Sequence, residues 1–133
     1  MPIDRLINWR RRVLWLLAIG FGGFGAAYAV RPSAMGALTG IALPSRTAST
    51  DFAATYGGAQ LGLAVFLALC ARRQSWHRVG LLAAGSTLAG IGGVRLVGIV
   101  LAGGAATPVL YAGLAIELLG AVLAFRFAGS AVS

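Results

Sequence analysis

The 133-residue chain has no lysine, one histidine, one cysteine and three acidic residues, Asp4, Asp51 and Glu117. A single cysteine, Cys70, excludes an intrachain disulfide. A single histidine, His77, with no Cys or second His at ligand spacing, excludes a zinc-type site, so no metal is expected. No Ser, His and acid can meet in a triad, because His77 and Glu117 fall at different depths of the apolar pattern. There is no P-loop and no catalytic set on which to assign a reaction. Charged residues make up 11% of the chain, against roughly 25% in soluble domains. That shortage excludes an ordinary soluble domain.

What the chain has is apolar length. Its hydrophobic fraction is 59%, it carries 20 glycines, and its mean hydropathy is +0.86. The formal charge is +8, carried by eleven arginines. These do not form a stripe on a soluble face, which argues against nucleic acid. They stand between apolar runs, as the positive-inside rule requires. The pattern predicts one all-α membrane domain over 1–133, a four-helix transmembrane bundle with helices at about 13–30, 53–71, 79–102 and 108–127. Residues 1–12 read as a basic head. A connector over 31–52, bounded by Pro32 and Pro44, has a mildly apolar middle (about 34–43) too short to span, predicted to lie at the interface. Pro108 suits the first turn of the last helix, and 129–133 reads as a tail.

Eight arginines (Arg5, Arg10, Arg11, Arg12, Arg72, Arg73, Arg78, Arg126) gather on one side, against Arg31 and Arg46 with Asp51 on the other. This predicts both termini in the cytoplasm. Trp9, Trp15 and Trp76 fall at the inner edge and Tyr28, Tyr56 and Tyr111 near the outer one, as in an aromatic belt. The run Gly20-Phe21-Gly22-Gly23-Phe24-Gly25 matches GxGxxG, but it lies inside an apolar span and lacks the strand before it, so it reads as packing glycine. The first thirty residues also imitate a signal peptide with Ala27-Tyr28-Ala29 as its cleavage site; the first helix is expected to stay uncleaved.

Two charged residues sit well inside spans, Arg95 and Glu117. On insertion scales a central Arg costs roughly 2.5–3.5 kcal/mol. At ~1.5 Å per residue, Tyr56 lies ~5 Å from the outer boundary, Gln60 and Arg95 ~10 Å, and Glu117 ~15 Å. An Arg95–Glu117 pair, bidentate and served by Gln60 and Tyr56, would satisfy these groups as a polar cluster or ligand site. Gly58 and Gly62 on the second helix, Gly92 on the third and Gly113 and Gly120 on the fourth are expected to pack helices closely. His77 is expected to be a solvated loop residue and Cys70 an apolar filler.

The run Thr50-Asp51-Phe52-Ala53-Ala54-Thr55-Tyr56-Gly57-Gly58-Ala59-Gln60-Leu61-Gly62-Leu63, then Gly93-Val94-Arg95-Leu96 and Ala115-Ile116-Glu117-Leu118, resembles a bacterial family of small four-helix inner-membrane proteins classed as a domain of unknown function. In that pattern a basic residue often stands three before the Tyr, where this chain has Ala53. The resemblance implies the fold and the inner membrane and no reaction. A looser likeness to DoxX-type proteins rests on architecture. Two functions follow as expectations. One is a non-enzymatic accessory or structural subunit that assembles with other membrane subunits or with itself. The other is a binder or carrier of a hydrophobic or amphiphilic molecule, a lipid or quinone. No cofactor is expected beyond such a bound lipid or quinone.

Overall fold

A computed structural model describes residues 2–130. Among them the chain forms five helices and no strand: α1 (Ile3–Val30), α2 (Pro32–Thr39), α3 (Arg46–Arg72), α4 (His77–Leu101) and α5 (Pro108–Gly129). All but α2 are long and apolar enough to cross a membrane, so the chain is a multi-pass membrane protein. The last three residues of the expected tail, 131–133, lie outside the described residues.

Local chemistry sets the breaks. Arg31 precedes Pro32, which disfavours helical backbone there, and Arg31 leaves the helix at φ −130°, ψ 55°. Pro32 then opens α2 at a first-turn position. Gly40 closes α2 at φ +76°, with its N–H donating to Ala37 O and the Ile41 N–H donating back to Gly36 O at 2.8 Å. That pairing is a Schellman cap, which glycine alone adopts without strain. The expected interfacial piece is therefore one short helix that ends in a defined turn. At the far loop, Thr107 caps α5 by accepting the Leu110 N–H at 3.3 Å.

Three segments depart from the sequence expectation. The basic head is not separate: α1 runs unbroken from Ile3, with Asp4 favourably placed in its first turn. Nor does α3 wait for the apolar run to begin. Ser45 caps it by accepting the Ala48 N–H at 3.1 Å, and helix starts at Arg46. Finally, His77 is not a solvated loop residue. It is 3% exposed at the start of α4, with Nε2 lying 3.3 Å from Ala71 O. It serves a carbonyl at the end of α3 that has no intrahelical donor.

The packed core sits at one end of the bundle. Val13, Leu14, Leu17 and Phe21 of α1 meet Leu67 and Cys70 of α3, Leu81, Ala84 and Leu88 of α4, and Ala121, Ala124 and Ala128 of α5. α1 packs chiefly on α3, and α4 on α5; contact between these two pairs is sparser. At the tightest junction Gly80 of α4 faces Leu14 and Cys70, where an added Cβ would lie 2.6 Å from the Cys70 Cβ. The first turns of α1 and the last turns of α5 meet at this end of the bundle. Trp9 stacks on Phe127 with centroids 6.1 Å apart, and Arg10 donates to Phe127 O and Ser130 O, each at 2.8 Å. A guanidinium there satisfies orphan carbonyls and matches the negative end of the α5 dipole. Arg10→Ala is expected to lower unfolding stability in mixed micelles by about 1–2 kcal/mol; an unchanged midpoint would show that water serves those carbonyls as well.

Candidate functional site

Toward the opposite end the two helix pairs are less tightly filled, and the charged residues stand there. α4 carries Arg95 and α5 carries Glu117. Their approach depends on small residues. A Cβ added at Gly92 would lie 3.2 Å from the Glu117 Cβ, and one at Gly120 would lie 2.8 Å from Leu88 Cδ1. A side chain at Gly92 would press on the root of Glu117, whereas at Gly120 the Leu88 methyl can swing aside. Gly113 faces the guanidinium itself, with room for a Cβ 3.7 Å from Arg95 Cζ. In the space so made, Arg95 Nε donates to Glu117 Oε2 at 2.8 Å and Nη2 donates to Oε1 at 2.7 Å. This fork-to-carboxylate geometry satisfies both carboxylate oxygens at once. It leaves Nη1 without a hydrogen-bond partner among the described residues.

The pair is not sealed. The Arg95 side chain is 29% exposed and that of Glu117 13%. Arg95 borders an open groove of about 680 Å³, whose other walls include Tyr56, Ile91, Val94, Ile99 and Leu110. The groove therefore has one cationic donor, already neutralised by its partner, in a mostly apolar lining. Such a surface suits a molecule that is apolar overall and carries a neutral hydrogen-bond acceptor.

Tyr56 reaches this groove through an irregularity in α3. Residues Ala53–Gly58 form a π-helical turn between two α-helical segments. A wider turn holds an extra residue and rotates everything that follows it on the helix. Tyr56 stands 44% exposed in that turn and packs against Phe52 (centroids 4.7 Å apart) and Tyr28 of α1 (5.6 Å). Tyr28 and Phe52 close the triangle at 5.4 Å.

The match to known families adds one finding: the model for a domain of unknown function, DUF4345, fits residues 10–128. The chain belongs to the DUF4345 family. No curated protein and no solved structure matches it.

Of the four residues expected to cluster in this DUF4345 chain, Arg95 and Glu117 are joined directly and Tyr56 shares their groove. Gln60 is not brought to them. It is half-buried on α3, and its side chain makes no hydrogen bond among the described residues. Two of the expected packing glycines are also misplaced. Gly58 and Gly62 face open space, whereas Gly57 lies against α1, where a Cβ would meet Ala29 N at 2.8 Å. Gly57 stands seven residues before buried Ala64 and fourteen before buried Ala71, so it shares their face, which Gly58 and Gly62 do not. Gly25 makes the reciprocal approach, with a Cβ position 2.9 Å from Leu61 N. Sequence reasoning missed Tyr28 and Phe52 as neighbours of the groove. The spacing of Phe52 and Tyr56, one turn apart, was a visible signal; nothing in the pattern pointed Tyr28 at them.

Proposed function

We propose that this DUF4345 protein binds a small, neutral amphiphile, a membrane lipid or a quinone, in the groove beside Arg95. The observation that carries this reading is a guanidinium 29% exposed on an apolar groove of about 680 Å³ while its charge is already matched by Glu117. A pair whose sole task was to hold α4 to α5 would gain from being closed off, since guanidinium donors left open in the apolar part of a bilayer go without a partner. The unpartnered Nη1 offers donors to a carbonyl or ester oxygen, and Ile91, Val94 and Leu110 offer a surface for the tail. The arginine asymmetry favours both termini on the cytoplasmic side, which puts the groove in the outer leaflet, and the family resemblance favours a bacterial inner membrane.

Gly98 supplies the test. It borders the groove and an added Cβ there would touch nothing within 4 Å. Gly98→Phe is expected to fill the groove, leave helicity unchanged and weaken binding of decylubiquinone or a short-chain phosphatidylcholine by at least about tenfold, roughly 1.4 kcal/mol. Titration calorimetry in mild detergent reads it. Equal binding by Gly98→Phe and wild type, or no binding of either probe by wild type, would overturn the reading.

A second reading, an accessory subunit of a larger membrane assembly, is favoured by α5. Only 11% of its most apolar window is buried within the chain, against 28% for α1. A helix so little covered suits a neighbouring helix as well as lipid. A particle heavier than the monomer after extraction in mild detergent would support it, and a reproducible bare monomer would count against it.

A further inference from the structure

The end of the bundle where Trp9 meets Phe127 has a separate groove of about 660 Å³ between α1 and α3. Arg11, Arg12 and Arg72 line it together with Trp15, Leu16 and Ile19. Arg11 and Ile19 are ~12 Å apart along the axis of α1 at 1.5 Å per residue. The lining thus passes from wholly cationic to wholly apolar over the depth of a headgroup and the first part of an acyl chain. No carboxylate lines it, and none of its three guanidiniums forms a salt bridge among the described residues. Arg72 lies over the Trp15 ring at 5.9 Å from the centroid, which holds one guanidinium at the rim. The same arrangement recurs around this end, with Arg12 over Trp9 at 5.4 Å and Arg73 over Trp76 at 4.8 Å.

Three guanidiniums opening on one groove with no carboxylate beside them make an anion the complementary ligand. A free inorganic anion would meet the arginines but leave Leu16 and Ile19 uncovered. We infer that the groove is a binding site for an anionic glycerophospholipid of the leaflet in which it lies. Its phosphate sits among Arg11, Arg12 and Arg72, its glycerol beside Trp15, and an acyl chain along Leu16 and Ile19. Basic pockets between membrane helices recognise such headgroups by this charge match. A lipid with two phosphates answers the triple charge better than one with a single phosphate.

Native mass spectrometry of the full chain, titrated with phosphatidylglycerol, diphosphatidylglycerol or phosphatidylcholine of matched acyl chains, tests the site. The expected order of retention is diphosphatidylglycerol, then phosphatidylglycerol, then phosphatidylcholine. Arg11→Gln and Arg72→Gln should each weaken retention of phosphatidylglycerol about fivefold. Arg78→Gln removes the same charge at the same end without touching the groove, and should behave as wild type. Excess inorganic phosphate should not displace the lipid. Equal retention of phosphatidylcholine, an equal loss in Arg78→Gln, or displacement by phosphate would each overturn the inference. If Arg72→Gln disturbs the fold, as circular dichroism would reveal, Arg11→Gln still decides, because the Arg11 side chain is exposed and makes no hydrogen bond among the described residues.

Discussion

Glu117→Leu is expected to lower the unfolding stability of the bundle by on the order of 3 kcal/mol. The change leaves the Arg95 guanidinium charged against an apolar groove and removes both of its hydrogen bonds to α5. Part of the loss is recoverable, because Arg95 is 29% exposed and its stem can carry the charge toward the membrane surface. That places the effect at the lower end of what breaking a fully buried pair costs. Adding Arg95→Leu should restore most of the stability, since two apolar side chains of similar volume serve about as well as a buried ion pair. Unfolding midpoints in mixed micelles for the two single variants and the double read this directly. A double variant as unstable as either single would show that the pair contributes more than its mutual neutralisation. The same double variant also separates structure from ligand recognition: a bundle that is stable yet unable to hold decylubiquinone places Arg95 in the site.

Much of this arrangement was legible in the sequence, for identifiable reasons. A charge inside an apolar run is too costly to leave alone, so Arg95 and Glu117, at similar depth on successive spans, had to be partners. The spans themselves announce their ends through Pro32, Pro44, Pro108 and the glycines at 103 and 104. What stayed hidden depends on tertiary contact or on backbone geometry. The first two turns of α3, from Arg46, are polar, and only the Ser45 cap marks them. His77 stands in a basic run that reads as solvated, yet it turns inward to a carbonyl of α3 six residues earlier. Arg10 reaches carbonyls more than a hundred residues away in the chain, a bond no local pattern encodes. Gln60 was placed by depth alone, and depth does not say which way a side chain points. The π turn is hidden as well, because a change from i+4 to i+5 bonding leaves no trace in residue type.

The contact of α3 with α1 makes a sharp prediction from two neighbouring glycines. Small residues one turn apart mark Gly58 and Gly62 as the contact face expected from the sequence. In the structure it passes through Gly57, whose Cβ position lies 2.8 Å from Ala29 N and 3.0 Å from Ala29 Cα. These are backbone atoms of α1 and cannot swing aside. Gly25 presses equally close from the other side, 3.0 Å from Gly57 O. Gly57→Leu should therefore force α1 and α3 apart and lower stability by about 3 kcal/mol, the upper range for overpacking. Gly58→Leu meets nothing within 4 Å at its Cβ and should be neutral or stabilising by up to about 1 kcal/mol, because leucine favours helix more than glycine does. Unfolding midpoints of the two variants in mixed micelles decide the register. A reversed order, with Gly58→Leu the more harmful, would mean that α3 meets α1 in a different register in the bilayer. In that case Tyr56 would rotate away from Tyr28 and out of the groove beside Arg95, and the aromatic wall of the proposed amphiphile site would go with it.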